Sequence, residues 1–220
     1  MDERISSGSD VFDELLEGGF DSGVITTIYG PAGSGKTTTC LLAALASCKK
    51  KVVFMDSEGG FSISRLKQLS KGYKEALDRI FVLKPRNFDQ QKQAVEQIKK
   101  LSATKIGLII CDTISSLYRV ERGNDNKALN RELGKQIGVL LEIAREKNIP
   151  VLLTNQVYAD FDNQTNVKMV GGDILKYSSK CLIELTVLAN GIRKATIKKH
   201  RSLPEKETIF KIVEKGFEKA

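Results

Sequence analysis

Gly30-Pro31-Ala32-Gly33-Ser34-Gly35-Lys36-Thr37 is the stretch on which the reading of this chain turns. It matches G-x-x-x-x-G-K-[ST]. It lies between a short β-branched run, Val24 to Tyr29, and a helical pattern rich in Leu and Ala, Thr37 to Ser47. That strand–loop–helix context is the one the pattern needs. Its glycines let backbone N–H groups turn inward on a phosphate chain, and the N-terminus of the following helix adds partial positive charge. Lys36 is then expected at the β- and γ-phosphates, and the Thr37 hydroxyl on Mg2+. Gly30 through Lys36, with Thr37 and Thr38, make a candidate site for a nucleoside triphosphate.

Outward from the loop, strand-like and helical runs alternate. Strands are expected at Lys51 to Asp56, Arg79 to Leu83, Ile106 to Cys111 and Ile149 to Thr154. Helices are expected at Ser64 to Leu69, Phe88 to Leu101 and Leu129 to Ala144. This rhythm predicts an α/β fold with a mostly parallel central sheet flanked by helices. After Gly172 the rhythm changes. Lys180 to Val187 and Ile192 to Lys199 flank Ala189-Asn190-Gly191, a hairpin signal, and Glu207 to Val213 offers a third strand before a turn at Glu214-Lys215-Gly216. These strands read as an antiparallel hairpin extension of the same sheet. With no repeat or linker, residues 1–220 are expected to form one domain.

Three further strand ends carry polar groups to the rim where ligands bind in open α/β sheets. Leu108-Ile109-Ile110-Cys111-Asp112 ends in an acid suited to the metal's water shell, or merely to capping a turn. Phe54-Met55-Asp56-Ser57-Glu58 delivers a carboxylate that either positions water at a γ-phosphate or stands on the surface. Asn155-Gln156 places amides at the same rim, to sense a phosphate or to cap a loop.

Composition narrows the alternatives. The 220 residues are 41% hydrophobic and 28% charged, which excludes disordered, collagen-like and coiled-coil chains. Cys40, Cys48, Cys111 and Cys181 are scattered without metal spacing and read as reduced, buried side chains. His200 is the only histidine, which excludes paired-histidine zinc sites. The first residues are charged, and no apolar run nears the roughly 20 residues of a membrane span. A soluble, cytoplasmic protein is expected, with no membrane partner.

The opening Ile5-Ser6-Ser7-Gly8-Ser9 and Asp13-Glu14-Leu15-Leu16-Glu17-Gly18-Gly19 resemble the lead-in of the RecA/RadA recombinases and their KaiC-like cousins. The order of phosphate loop, Asp56-Ser57-Glu58, Asp112, Thr154-Asn155-Gln156-Val157, Gly171-Gly172 and Leu203-Pro204-Glu205 is similar to the RadA-like branch across nearly the whole chain. The short form is similar to RadA paralogues that begin almost at the core. The resemblance implies a RecA-like P-loop ATPase core that binds ATP and Mg2+, with Thr37 and Asp112 at the metal, partly through water. It makes Glu58 the water-activating glutamate, Gln156 the nucleotide sensor beside Lys36, and Arg65 the residue stacked on adenine. It implies DNA repair and homologous recombination, with DNA and a RadA-type recombinase as partners, and leaves a homodimer open.

Departures from that pattern refine the expectation. No N-terminal helix–hairpin–helix domain precedes the core, and the linker that hooks RadA protomers together has no room. The second DNA loop, Val157 to Val170, is short and carries only Lys168. Where full recombinases cap ATP with an aspartate, this chain has Lys198-Lys199-His200-Arg201. A weak ATPase little stimulated by DNA is expected, regulating or assisting the main recombinase without strand exchange of its own.

The chain carries a formal charge of +8, and +5 of it lies from Asn190 onward. Lys198, Lys199, His200 and Arg201, with Lys168, are the candidate DNA contacts, tracking phosphates without reading bases. The competing picture is a solvated, lysine-rich sheet edge. Tyr118, with Arg119 and Arg122, and Tyr158 with Phe161 are candidate stacking groups, although Tyr118 could equally pack in the core. The rival functional reading is a KaiC-like regulatory ATPase that does not bind DNA.

Overall fold

Runs such as Val52-Val53-Phe54-Met55 and Leu108-Ile109-Ile110-Cys111 are apolar at every position because both faces of their sheet are covered. In the computed structural model, Val52, Phe54, Leu108 and Ile110 enter one hydrophobic cluster, while Val53, Met55, Ile109 and Cys111 enter the other. Successive side chains on a strand point to opposite faces, so a continuous run feeds both. The structure describes residues 3–47, 49–102, 105–121, 126–159 and 167–220.

The chain opens with a small antiparallel ribbon, β1 (Arg4–Ile5) with β2 (Phe20–Asp21), around helix α1 (Asp10–Leu15). Then come β3 (Ile25–Tyr29), α2 (Lys36–Ala46), β4 (Lys51–Asp56), α3 (Ile63–Leu69), α4 (Tyr73–Leu77) and β5 (Ile80–Leu83). Helix α5 (Phe88–Leu101) leads to β6 (Ile106–Asp112), α6 (Ser116–Val120), α7 (Asn126–Lys147) and β7 (Val151–Asn155). A second ribbon, β8 (Val157–Ala159) with β9 (Val167–Met169), precedes α8 (Gly172–Ser178). The chain ends in β10 (Cys181–Val187), β11 (Ile192–Lys199), β12 (Glu207–Val213) and β13 (Gly216–Lys219).

Nine strands form one sheet in the order β13-β12-β11-β10-β3-β7-β6-β4-β5. From β10 to β5 all neighbours are parallel; from β10 to β13 they are antiparallel. The expected mostly parallel sheet with an antiparallel extension is therefore the fold. The phosphate loop, Glu58, Asp112 and Gln156 all follow the carboxyl ends of adjacent parallel strands and share one edge.

Helix α5 follows its apolar spacing, burying Ala94, Val95 and Ile98, and starts where the Asn87 side chain accepts from Gln90 N–H at 2.8 Å. Helix α7 outruns the Leu129–Ala144 pattern at both ends. The Asn190-Gly191 turn is a short 3-10 segment with both residues at positive φ, 56° and 70°. Strand β13 pairs residue by residue with β12 beyond the turn at Glu214-Lys215-Gly216. Tyr118 corrects an expectation: it lies in α6, 2% exposed, with its hydroxyl donating to Asn130 Oδ1 at 2.6 Å. A ring so placed packs the core and is not free to stack on a base. Cys40, Cys111 and Cys181 are buried free thiols, as expected, whereas Cys48, Arg122 and Phe161 lie outside the described residues.

The C-terminal strands are fastened by three rings. Phe210 packs on Phe12 and Phe217 with centroids 5.8 and 4.8 Å apart, and Phe12 meets Phe217 at 5.4 Å. Phe210 is fully buried. Phe210→Ala is expected to cost about 3–5 kcal/mol, read as a lowered urea midpoint, whereas truncating the exposed Val120 should change stability by less than about 0.5 kcal/mol.

Candidate nucleotide-binding site

The phosphate loop joins β3 to α2 in a space too close for ordinary residues at two points. A side chain at Gly30 would overlap the Leu185 carbonyl of β10, and Gly35 holds φ 108° against Ile212 and Phe217. Glycine serves both needs, close approach and a left-handed backbone. Pro31, Ala32 and Gly33 stand exposed at the rim; Gly35, Thr37 and Thr38 are half-buried.

Lys36 is 8% exposed, and its Nζ donates to Gly30 O and Pro31 O, both at 2.8 Å. Burial pushes this ammonium below the ordinary lysine value, with Asp112 and Glu58 pulling it back. Its third donor is left for a ligand. The Ser34 hydroxyl is fully buried without a hydrogen-bond partner among the described residues. An orphaned hydroxyl beside a desolvated ammonium, at a helix N-terminus, fits a phosphate chain.

Asp112 ends β6 at 2% exposure. Its Oδ2 accepts from the Thr37 hydroxyl at 2.7 Å, and its Oδ1 from the Thr154 hydroxyl at 2.5 Å. Burial raises this carboxyl above the usual range, and the two hydroxyls oppose the rise. The expected pair, Thr37 and Asp112, is therefore in direct contact, and an oxygen set of this kind suits Mg2+.

Glu58 is raised by burial first and by the neighbouring Asp112 second, against a Thr113 hydrogen bond, Lys36 and Arg119. Its Oε1 accepts from the Gln156 amide at 2.7 Å. Two residues 98 positions apart, singled out separately, thus form one unit. Gln156 lies just before β8, and its carbonyl accepts from Val170 N–H at 3.2 Å. Asn155 is buried; its amide donates to Val170 O at 2.9 Å, and its oxygen accepts from the Ser115 hydroxyl.

Sequence reasoning missed Asp56, 2% exposed, which accepts from Gly60 N–H at 2.9 Å and Phe61 N–H at 3.2 Å and so fixes the loop bearing Glu58. An acid at a strand end before Gly59-Gly60 was the available signal. Arg65 follows the Ser62 cap of α3 and reaches across to the β12–β13 turn, donating to Val213 O and Glu214 O at 2.9 Å.

The residues of the basic cluster each have a partner. Lys198 pairs with Glu205 at 2.6 Å, and Lys199 donates to Lys176 O and Ser179 O at 2.8 Å. Burial lowers the Lys199 pKa, and Lys180 and Lys176 nearby lower it further. Arg201 meets Asp21 at 3.0 Å, where Arg4 also arrives at 2.9 Å. His200 has a side chain 2% exposed; its Nδ1 accepts from Ser202 N–H and Leu203 N–H, leaving Nε2 toward Asp21 at 3.4 Å. Lys168 lies in β9 opposite Tyr158, its side chain outside the described residues. Lys176, Lys198 and Lys199 also line a cleft of about 880 Å³ with Tyr29, Tyr158 and Asp173.

A family model described as Rad51 matches residues 3–220. The chain belongs to the Rad51 family. It is 45% identical over 215 residues to the DNA repair and recombination protein RadB of Methanococcus maripaludis (strain C7), covering 94% of this chain and 97% of that one. The proteins of the same name from Methanococcoides burtonii and Thermococcus gammatolerans are 41% and 40% identical, covering 94% and 97% of this chain and 93% and 98% of theirs. A crystal structure of the RadB recombinase superposes with a TM-score of 0.86 at 39% identity, covering 98% of this chain and 99% of that one. The RecA-like fold expected from the sequence is thereby confirmed.

The neutral form of His200 is built into the loop after β11, and burial holds its pKa below the ordinary value, with Asp21 opposing and Arg4 and Arg201 adding. A base whose pKa falls on folding binds fewer protons folded than unfolded. Its contribution is present above about pH 6.5 and is lost as pH falls from there through the lower folded-state pKa. Asp112 and Glu58, raised on folding, act with the opposite sign. The difference in unfolding free energy between the parent and His200→Gln isolates the histidine; it should narrow between about pH 7.5 and 5.5.

Proposed function

We propose that this chain binds ATP with Mg2+, hydrolyses it slowly, and serves DNA repair and homologous recombination in the cytoplasm as a DNA-binding regulator of the main recombinase. The observation that carries this reading is the meeting of Lys36, Thr37 and Asp112 at one edge of the parallel sheet, from β3 and β6 across the intervening β7. The names of the curated relatives support the recombination role. Among the described residues no helix is long and apolar enough to cross a membrane.

The loop from Gly30 to Thr38 cradles the phosphates, and Lys36 exchanges two backbone carbonyls for phosphate oxygens. Thr37 and Asp112 would hold Mg2+, Asp112 through water, and the ion would supply charge neutralisation to the phosphate chain. Arg65 offers its guanidinium face to adenine while its edges stay on the β12–β13 turn. Glu58 accepts the proton of the attacking water. That carboxylate already accepts from Gln156 on Oε1, so the amide competes with the attacking water for it, which suits a weak ATPase.

DNA follows the cleft edged by Lys198, Lys199 and Tyr158, with Lys168 and Arg201 beside it, by phosphate contact without base reading; His200, its side chain 2% exposed, is not a contact. Gln156 immediately precedes the short strand that carries Tyr158, which links the DNA surface to Glu58. In this reading residues 1–220 act as one RecA-like core that partners a RadA-type recombinase and other recombination proteins, and a homodimer is compatible with it. Strand exchange is not among its activities.

Lys36→Ala should lose ATP affinity by about a hundredfold with an unchanged circular dichroism spectrum; undiminished binding in the folded variant would sink the nucleotide assignment. Single-stranded DNA should stimulate turnover less than about threefold, a limit on the order of half a kcal/mol. Lys198→Ala, Lys199→Ala and Arg201→Ala combined should weaken DNA binding equally across sequences and flatten the salt slope by about 2–3. Parental affinity and slope would move the DNA surface elsewhere, and an absence of DNA binding in the parent would favour the regulatory ATPase without DNA.

A further inference from the structure

Arg193, near the start of β11, turns its guanidinium onto the phosphate loop. Its Nε and Nη2 donate to Gly33 O at 3.3 and 3.2 Å, and its Nη1 donates to Gly191 O. The residue stands opposite Val187 of β10 and the buried Phe210 of β12, on the sheet face that packs against α1 and α2. The same wall presses the loop elsewhere, through Leu185 against Gly30 and through Ile212 and Phe217 against Gly35. Arg193 is the charged member of that wall.

Its partners set it apart from every other cation of the strand but Lys199, which also rests on backbone carbonyls. Lys194 pairs with Glu207 at 3.1 Å, Lys198 with Glu205, and Arg201, just past the strand, with Asp21. Among the described residues Arg193 has no carboxylate partner; it rests on two neutral carbonyls. A half-exposed guanidinium gains little from carbonyls that water would serve as well, whereas its planar fork matches phosphate oxygens bidentately.

We propose that Arg193 is a second cation of the phosphate site: it exchanges the Gly33 carbonyl for oxygens of the bound nucleotide's phosphate chain and thereby ties the β10–β11 hairpin to nucleotide occupancy. The inference rests on the ATP reading given above. It makes Arg193 a binding residue supplied by the antiparallel extension, 160 positions from the loop that it touches.

The test is calorimetric titration of the parent, Arg193→Gln and Arg193→Lys with ATP, ADP and AMP, each at low and at high salt. Arg193→Gln should lose about tenfold in ATP affinity at low salt. The deficit should narrow at high salt, where charge is screened, and shrink from ATP to ADP to AMP as phosphates are removed. Arg193→Lys, which keeps the charge but not the fork, should recover part of it. A parent that binds no ATP overturns the nucleotide reading and this inference with it. A parent that binds, with Arg193→Gln binding as well, overturns this inference alone. So does a loss that is equal for all three nucleotides, insensitive to salt and not recovered by lysine, since that is the signature of a brace holding the loop's shape.

Discussion

A carboxylate buried at the end of a central strand has few ways to persist, and Asp112 depends on two threonine hydroxyls. Thr37 reaches it from the first turn of α2, and Thr154 from β7. One side chain therefore ties together the phosphate loop's helix and two strands of the parallel sheet. The order β10-β3-β7-β6-β4 makes this possible, since it sets the ends of β3, β7, β6 and β4 side by side. Every polar group of the site hangs from that edge.

The same groups are electrostatically incomplete. Burial pushes Lys36 down and Asp112 and Glu58 up, so each charged form is disfavoured where it stands. Ammonium and carboxylate moderate one another, yet the ammonium settles on backbone carbonyls and Glu58 on an amide. Such a site gains most from a ligand carrying both anionic oxygens and a divalent cation, because each deficit is met by the opposite charge. Strain of this kind is better explained by binding than by stability, since apolar neighbours of similar size would cost less to bury.

The parallel strands, the phosphate loop, Asp112 and the Glu58 and Gln156 positions were legible because each signal is local: a buried run followed within a few residues by the polar group it delivers. The small helices were not. Helices α1, α6 and α8 span 6, 5 and 7 residues, too short for periodicity and below the length at which a helix holds by itself. They form because tertiary packing covers residues such as Phe12, Tyr118 and Leu175. Tyr118 looked like a loop aromatic because its partner, Asn130, lies beyond a stretch with no pattern of its own. Strand β13 follows a clear turn but alternates Phe217 with charged residues over only four positions, and only the pairing with β12 makes it a strand. The meeting of Gln156 with Glu58, and of Arg193 with Gly33, depends on strand order that no local signal encodes.

Charge shows the same division between count and placement. The excess of lysine and arginine after Asn190 was correctly counted, yet a net charge says nothing of which cations have partners. Glu205 and Glu207 lie just across the β11–β12 connection and take Lys198 and Lys194, while Asp21, 180 positions earlier, takes Arg201. Two cations with no acid partner among the described residues sit where the antiparallel strands meet other elements: Lys199 at the carboxyl end of α8, among Lys176 and Lys180, and Arg193 at the phosphate loop. The extension therefore brings its charge to two places, the cleft beside Tyr158 and the nucleotide loop, and β11 runs between them.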